Sequence, residues 1–289
     1  FVGCTAILFG TACMGAVKYV PENMKVELSL KVPGNNAVNY KLHPDKLENS
    51  YFDYEWRSDN KLPITVFHKV EERDSCMRLT VQLTAAQDVY FNYRQLLSTG
   101  YRHDNCQFYM PGFWYRRNLR SPKKAPSFHT SDSWLVREDR LSAPLTGIFS
   151  EKEKRFMTVN RLDDFSMDAL ATHKEGEIIL SGKTSLGFTG FENQQGIAML
   201  SFGFPYREAP KSYIRKLTLA PEVEAFQLMK KGESVLLTWE IMESGADDFS
   251  DFIQHTWEHC YDTYAPKPVE NSYSIADMKQ VLSCFFVNS

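Results

Sequence analysis

Two stretches set the class of fold open to this chain. Met24 to Val32, MKVELSLKV, and Cys76 to Thr84, CMRLTVQLT, alternate apolar and polar residues with a period of two. That period gives a pleated strand one apolar face, whereas a helix would scatter the same residues around its axis. DVYFNYRQLL (88–97) follows as an aromatic-rich strand. RFMTVNRL (155–162), EIILSGKT (177–184), IAMLSFGFPY (197–206), SYIRKLTL (212–219) and SVLLTWEIM (234–242) read the same way, each bounded by Gly, Pro, Asn or charged turns. No strand–helix–strand alternation interrupts them. A mainly β fold is expected, a large antiparallel β-sandwich.

The character changes at Gly245. ADDFSDFIQHTWEHCYDTY (246–264) carries Phe249, Phe252, Ile253, Trp257 and Cys260 at helical spacing, with acidic residues in its first turn. A Pro-bearing linker, APKPVENSYS, comes next. Ser274 then stands three residues before Asp277, a capping-box spacing, and Ile275, Met278, Leu282, Phe285 and Phe286 share one face of the helix it would start.

The N-terminal FVGCTAILFGTACMGAV has no charge before Lys18, which is about the length of a signal-peptide apolar region. Cys13 follows Gly10-Thr11-Ala12, small residues of the kind that precede a lipidated cysteine, and Cys4 is a second candidate. The expectation is a leader over 1–20, a β-sandwich over 21–245, a helix and linker over 246–270, and over 271–289 the first helix of a truncated helical domain. Export to the periplasm or the outer membrane goes with it, with attachment through a lipidated cysteine. Cys76, Cys106, Cys260 and Cys284 show no CxxC; free thiols are the simpler reading, and a Cys76–Cys106 bridge stays open.

A net charge of −3 with no basic stripe, only the short Lys123-Lys124 pair, gives no reason to expect nucleic acid. There is no GxSxG, P-loop or dinucleotide fingerprint. His255-Thr-Trp-Glu258-His259 matches the inverted zinc-protease pattern HxxEH. The residues after it hold no histidine and few carboxylates, Asp262 on the same stretch and then Glu270 and Asp277, so an amphipathic helix with Trp257 inward is expected, with no metal and no cofactor. Asp163-Asp164 and Asp247-Asp248 are adjacent pairs that a strand or loop would point apart.

The segment from Gln107 to Arg140 is different. QFYMPGFWYRRN places Phe108, Tyr109, Phe113, Trp114 and Tyr115 around a Pro-Gly turn and runs into Arg116 and Arg117. A Pro-rich basic loop follows, then SDSWLVREDR with Trp134, Arg137, Glu138, Asp139 and Arg140. Long loops that keep aromatics and charges are often binding loops. Sugars suit this set, because a pyranose face stacks on Trp or Tyr while hydroxyls and carboxylates take planar donors. The other reading makes Phe108, Phe113 and Trp134 core residues and Arg137 to Arg140 a structural salt-bridge network.

FYMPGFWYRRN, SDSWLVREDRLSAPL and the junction HTWEHCYDTYAPKP leading into a capped helix together resemble exported bacterial carbohydrate-active enzymes of Bacteroides-like organisms. In these, an N-terminal β-supersandwich similar to galactose mutarotase is joined by a linker helix to an (α/α)6 toroid. The resemblance implies the sandwich domain of a glycoside hydrolase acting on an oligo- or polysaccharide. Alternatives are a polysaccharide lyase of similar build or a non-catalytic glycan-binding module. It places catalytic acids in the toroid, so no catalytic residue is carried onto this chain. Trp114, Tyr115 and Trp134 would stack on sugar, and Arg117, Asn118 and Arg137 would hold hydroxyls or a uronate carboxylate.

Overall fold

The computed structural model describes residues 20–73, 76–120, 126–163, 176–208, 211–212, 219–220, 222–267 and 274–288. The expected leader with Cys4 and Cys13, Lys123-Lys124, Asp164, most of SYIRKLTL and part of the Pro-bearing linker lie outside these residues. The chain divides into two compact units, Phe1–Phe252 and Ile253–Ser289.

The first unit is mainly β, with 17 strands in one hydrogen-bonded network. The alternating segments form strands as expected: Met24–Lys31, Cys76–Ala85, Arg155–Arg161, Ile197–Phe204 and Ser234–Gly245. Val89–Arg102 runs longer than its aromatic core, to 14 residues. It is the central strand of one layer, paired antiparallel with Met24–Lys31 on one side and with Ile197–Phe204 on the other. That layer continues through Phe188–Gln194 to the short strand Trp134–Arg137. The facing layer runs Ile64–Glu72, Cys76–Ala85, Ser234–Gly245, Arg155–Arg161, Leu145–Ser150, Cys106–Met110 and Trp114–Arg116. EIILSGKT contributes only Gly176–Ile179, paired parallel with Val223–Met229.

Val38–Lys46 joins the layers. Its first half pairs with Met24–Lys31, and from His43 onward it pairs with Tyr54–Arg57 of the other layer. The layers meet through interdigitated rings. Phe202 lies 5.3 Å from Trp239, and Phe108 stacks on Phe191 at 4.0 Å. In Cys76–Ala85 inward positions are sealed while their neighbours face out, as the pleat requires: Leu79, Val81 and Leu83 are buried, and the residues between them are half-buried. His68 is one of the polar groups buried here. Its Nε2 sits 2.7 Å from the Tyr93 hydroxyl across the core, and burial pulls its pKa down to about 3, so the ring is neutral at ordinary pH.

Helix α1, Phe249–Tyr264, starts on Asp248, whose carboxylate accepts the Ser250 and Asp251 amides at 2.7 and 3.0 Å. Its first turn belongs to the β unit. Phe252 packs 4.9 Å from Phe156 and 6.1 Å from Tyr109. Gly147 makes the room, since a Cβ there would stand 2.6 Å from the Phe252 ring.

In the second unit, α2 spans Ile275–Asn288 and has the capping box read from the sequence. Ser274 Oγ accepts the Asp277 amide at 3.1 Å, and Asp277 accepts the Ser274 amide at 2.9 Å. Trp257 does not point inward as expected; it is exposed, with Tyr261 one turn on. Cys76, Cys106, Cys260 and Cys284 are all free thiols, so the bridge between Cys76 and Cys106 is not formed. No described helix is long and apolar enough to cross a membrane.

Candidate functional site

The aromatic–arginine stretch is a hairpin. Cys106–Met110 pairs with Trp114–Arg116 in the register Phe108↔Arg116, Tyr109↔Tyr115 and Met110↔Trp114. Pro111, Gly112 and Phe113 make the turn, closed by the Phe113 amide on the Met110 carbonyl at 3.0 Å; Gly112 takes φ +79°, where a side chain is strained.

Strand alternation sorts the aromatics. Phe108, Met110 and Trp114 face the core and are sealed. Tyr109 and Tyr115 share the other face. The first turn of α1 closes over Tyr109, whereas Tyr115, 5.4 Å further out, is 52% exposed.

The same alternation would send Arg116 inward beside Phe108. Instead its backbone turns left-handed, φ +56°, and the guanidinium lies over the Phe249 ring at 5.2 Å. Asn118 is also left-handed, φ +49°. Two such residues within three positions cost on the order of 1 kcal/mol or more each and persist only where surrounding bonds hold them.

Asn118 is that clamp. Its Oδ1 accepts the Tyr115 amide at 3.0 Å, and its Nδ2 donates to the carbonyls of Pro126 at 3.2 Å and Phe113 at 3.4 Å. Arg117 is a second anchor. It donates to the carbonyls of Cys106 and Asp104 and stacks on Phe128 at 5.0 Å, while its own carbonyl accepts the Phe128 amide.

The loop so fixed borders an open depression of about 820 Å³. Gln107, Tyr115, Arg116, Arg117, Asn118, Leu119 and Arg120 line it. Three are arginines and none is acidic. The Tyr115 hydroxyl accepts the Gly112 amide at 3.2 Å, which leaves its own proton to donate outward. Gln107 gives its Nε2 to Glu151, and its Oε1 has no protein partner.

The expected site residues therefore separate. Tyr115, Arg117 and Asn118 come together at the depression. Trp114 and Trp134 are core residues, 0% and 2% exposed, with rings 5.5 Å apart and indole N–H groups given to the carbonyls of Arg116 and Ser131. A ring without an exposed face has none to stack on a sugar, so that role is corrected for both. Arg137 is likewise sealed, bonded through Nε to Asp139 Oδ1 at 2.9 Å and set over Tyr206 at 4.8 Å.

Arg137 belongs to the structural network that was the other reading of this segment. Glu138, fully buried, takes Arg161 Nη1 and the Gly187 amide on one oxygen at 2.7 Å each; Arg161 also holds Asp163 at 3.1 Å, and Arg140 holds Glu208 at 2.9 Å. Burial pushes the Glu138 carboxyl up while the Arg161 charge pulls it back, and the net shift is upward. Burial opposes the Arg137 charge, but Asp139 outweighs it and holds the guanidinium above its ordinary range.

Gln107, Arg116, Leu119 and Arg120 had not been named as site residues. Gln107 and Arg116 sit inside the quoted stretch. Their signal was proximity alone, because a left-handed arginine cannot be read from strand alternation. The other chemical candidates are accounted for locally: Asp163 holds Arg161 and the Thr238 amide, Asp248 caps α1, and Glu258 accepts from Gln254 at 2.8 Å.

No protein-family model matches the chain, and no curated protein does. Among solved structures it is similar to a polysaccharide lyase, at 14% identity and a TM-score of 0.37, over 81% of this chain and 27% of that one. It is similar to the Slr1438 protein of Synechocystis sp. PCC 6803 at 8% identity and 0.39, over 81% and 77%. A GH36 α-galactosidase, AgaB of Geobacillus stearothermophilus, matches at 10% identity and 0.32, over 76% and 30%. The chain thus spans less than a third of the lyase and of the galactosidase. With identities and TM-scores this low, the likenesses carry no argument about function.

Proposed function

We propose that this chain is the β-sandwich domain of an exported carbohydrate-active enzyme, and that the depression beside Tyr115 is a sugar-binding site on its rim. The observation that carries the reading is the half-exposed Tyr115 ring standing beside three guanidinium groups on a loop fixed by Asn118. A flat apolar face and planar donors at one bend are what a pyranose ring takes. Pre-ordering the loop removes part of the entropic cost of binding. Trp114 and Trp134 support the hairpin from the core side.

In the whole protein the reaction would be glycoside hydrolysis by two carboxylates, or β-elimination in a lyase. The acids would come from outside this sandwich. Export with a lipidated cysteine belongs to the same reading, supported by the apolar run before Lys18. The second reading, a non-catalytic glycan-binding module, is favoured by one feature: among the described residues that line the depression none is acidic.

The test is Tyr115→Ala in the full chain, with binding to a panel of soluble polysaccharides read beside the melting temperature. The expected result is a binding loss of about 2 kcal/mol, the size of an interface anchor, with the fold intact. Unchanged binding would move the sugar site elsewhere or remove it.

A further inference from the structure

The depression is one-sided in charge and in hydrogen bonding. Three of its seven lining residues are arginines, in a chain whose net charge is −3. Among the described residues no carboxylate lies within ion-pair distance of Arg116, Arg117 or Arg120. Nearby acids have other tasks: Asp248 caps α1 and feels Arg116 only through space, Glu151 accepts Gln107, and Asp104 faces Arg102 at 3.9 Å.

The cations are not equivalent. Arg117 is tied to two carbonyls and stacked on Phe128. Arg137 is sealed against Asp139. Arg116 and Arg120 are exposed and keep their forks for solvent or a ligand. A guanidinium only donates. A neutral sugar offers hydroxyls that need acceptors as well as donors, and the side chains of this described lining offer few: the Tyr115 hydroxyl oxygen and the Asn118 Oδ1, the latter already given to the Tyr115 amide, while the Gln107 Oε1 is buried. An acceptor-rich group meets the lining better, and a planar fork matches its paired oxygens.

We propose that the sugar taken here carries an anionic group, a uronate carboxylate or a sulfate ester, and that Arg116 and Arg120 read it while Tyr115 stacks on the ring. This rests on the sugar-binding reading of the depression. The left-handed backbone at Arg116 is what brings that guanidinium to the outer face, so local strain and charge selection are one feature.

The experiment compares matched pairs on the full chain: an oligohexuronate and the same oligomer after carboxyl reduction, and a sulfated oligosaccharide and its desulfated form. Each is titrated at low and at near-physiological salt. The anionic member of one pair should bind at least about tenfold tighter, with the gap narrowing as salt rises. The pair that responds tells carboxylate from sulfate. Arg116→Ala combined with Arg120→Ala should abolish the gap, while Tyr115→Ala weakens both members. Equal binding of both members, or a gap that survives the double arginine variant, overturns the anionic assignment and leaves the sugar site standing. If no member of either pair binds a protein that melts normally, the sugar reading falls and this proposal with it.

Discussion

The segments Tyr115–Arg120 and Trp134–Arg140 each set an aromatic ahead of arginines, the second with Glu138 and Asp139 among them, and the fold uses them in opposite ways. In Trp134–Arg140 the aromatic fills the core, and all four charges are paired: Arg137 with Asp139, Glu138 with Arg161 and Arg140 with Glu208. In Tyr115–Arg120 the aromatic faces solvent, and no described carboxylate pairs with the arginines. What separates the two is the supply of carboxylates, from the segment itself and from the strands beside it. Trp134–Arg137 lies against Phe188–Gln194, with Asp139 and Glu208 in reach, whereas Trp114–Arg116 is an edge of its layer that turns away through two left-handed residues.

The largest expected effect breaks the comparison on its sealed side. Trp134→Ala should cost about 3–5 kcal/mol, the usual cost of emptying a buried tryptophan site. Chemical denaturation measures it, and sugar binding should be lost only as far as the fold is. A Trp134→Ala protein that stays stable and loses binding would put that ring in the site after all.

Next in size is acid sensitivity, which should belong to the interior and not to the loop. His68 has a folded pKa near 3 against an ordinary value of 6.5. The folded state thus binds fewer protons than the unfolded one between those values. The contribution is complete above pH 6.5 and is lost as pH falls towards 3, at about 1.4 kcal/mol per pH unit from this one group. Unfolding free energies measured from pH 6 to 4 should show a slope smaller by one proton in His68→Gln, and no such change in Tyr115→Phe. Equal slopes in wild type and His68→Gln would place His68 in contact with water.

The smallest effect sharpens the exposed side. Arg116→Gly removes a side chain from a left-handed position and should leave stability unchanged or raise it by up to about 1 kcal/mol, while weakening an anionic ligand. Thermal melts and titration of the same sample read both. A marked loss of stability would mean that the contact of Arg116 with Phe249 outweighs the backbone strain.

Much of the fold was legible because strand alternation is a local property. Met24–Lys31 and Cys76–Ala85 match their alternating segments to within a residue, Ser234–Gly245 runs three residues past its own, and the Ser274–Asp277 box is a four-residue device that needs no partner. The strands that went unread, such as Val38–Lys46, are those whose pattern mixes faces. Val38–Lys46 changes layers halfway, so no single period describes it. At the depression, the sequence pointed to this hairpin, and of its six candidate residues Tyr115, Arg117 and Asn118 line it. It could not tell Tyr115 from Trp114, adjacent and both aromatic, since a strand sends neighbours to opposite faces and only the opposing layer says which face is covered.

The sequence by itself determined that the chain is mainly β, where several of its long strands and the capped helix α2 begin, and that one stretch concentrates rings and cations. Those are consequences of period, capping and composition, which act over a few residues. The tertiary structure decided which rings are sealed and which charges are spent, because burial and pairing depend on residues far away in the chain. Phe191 closes over Trp114 and Tyr206 lies beneath Arg137, both more than sixty positions downstream. Phe249 meets Arg116 on one side only, and Tyr115, Arg116 and Arg120 all stay exposed; that difference is what makes them the candidates for binding.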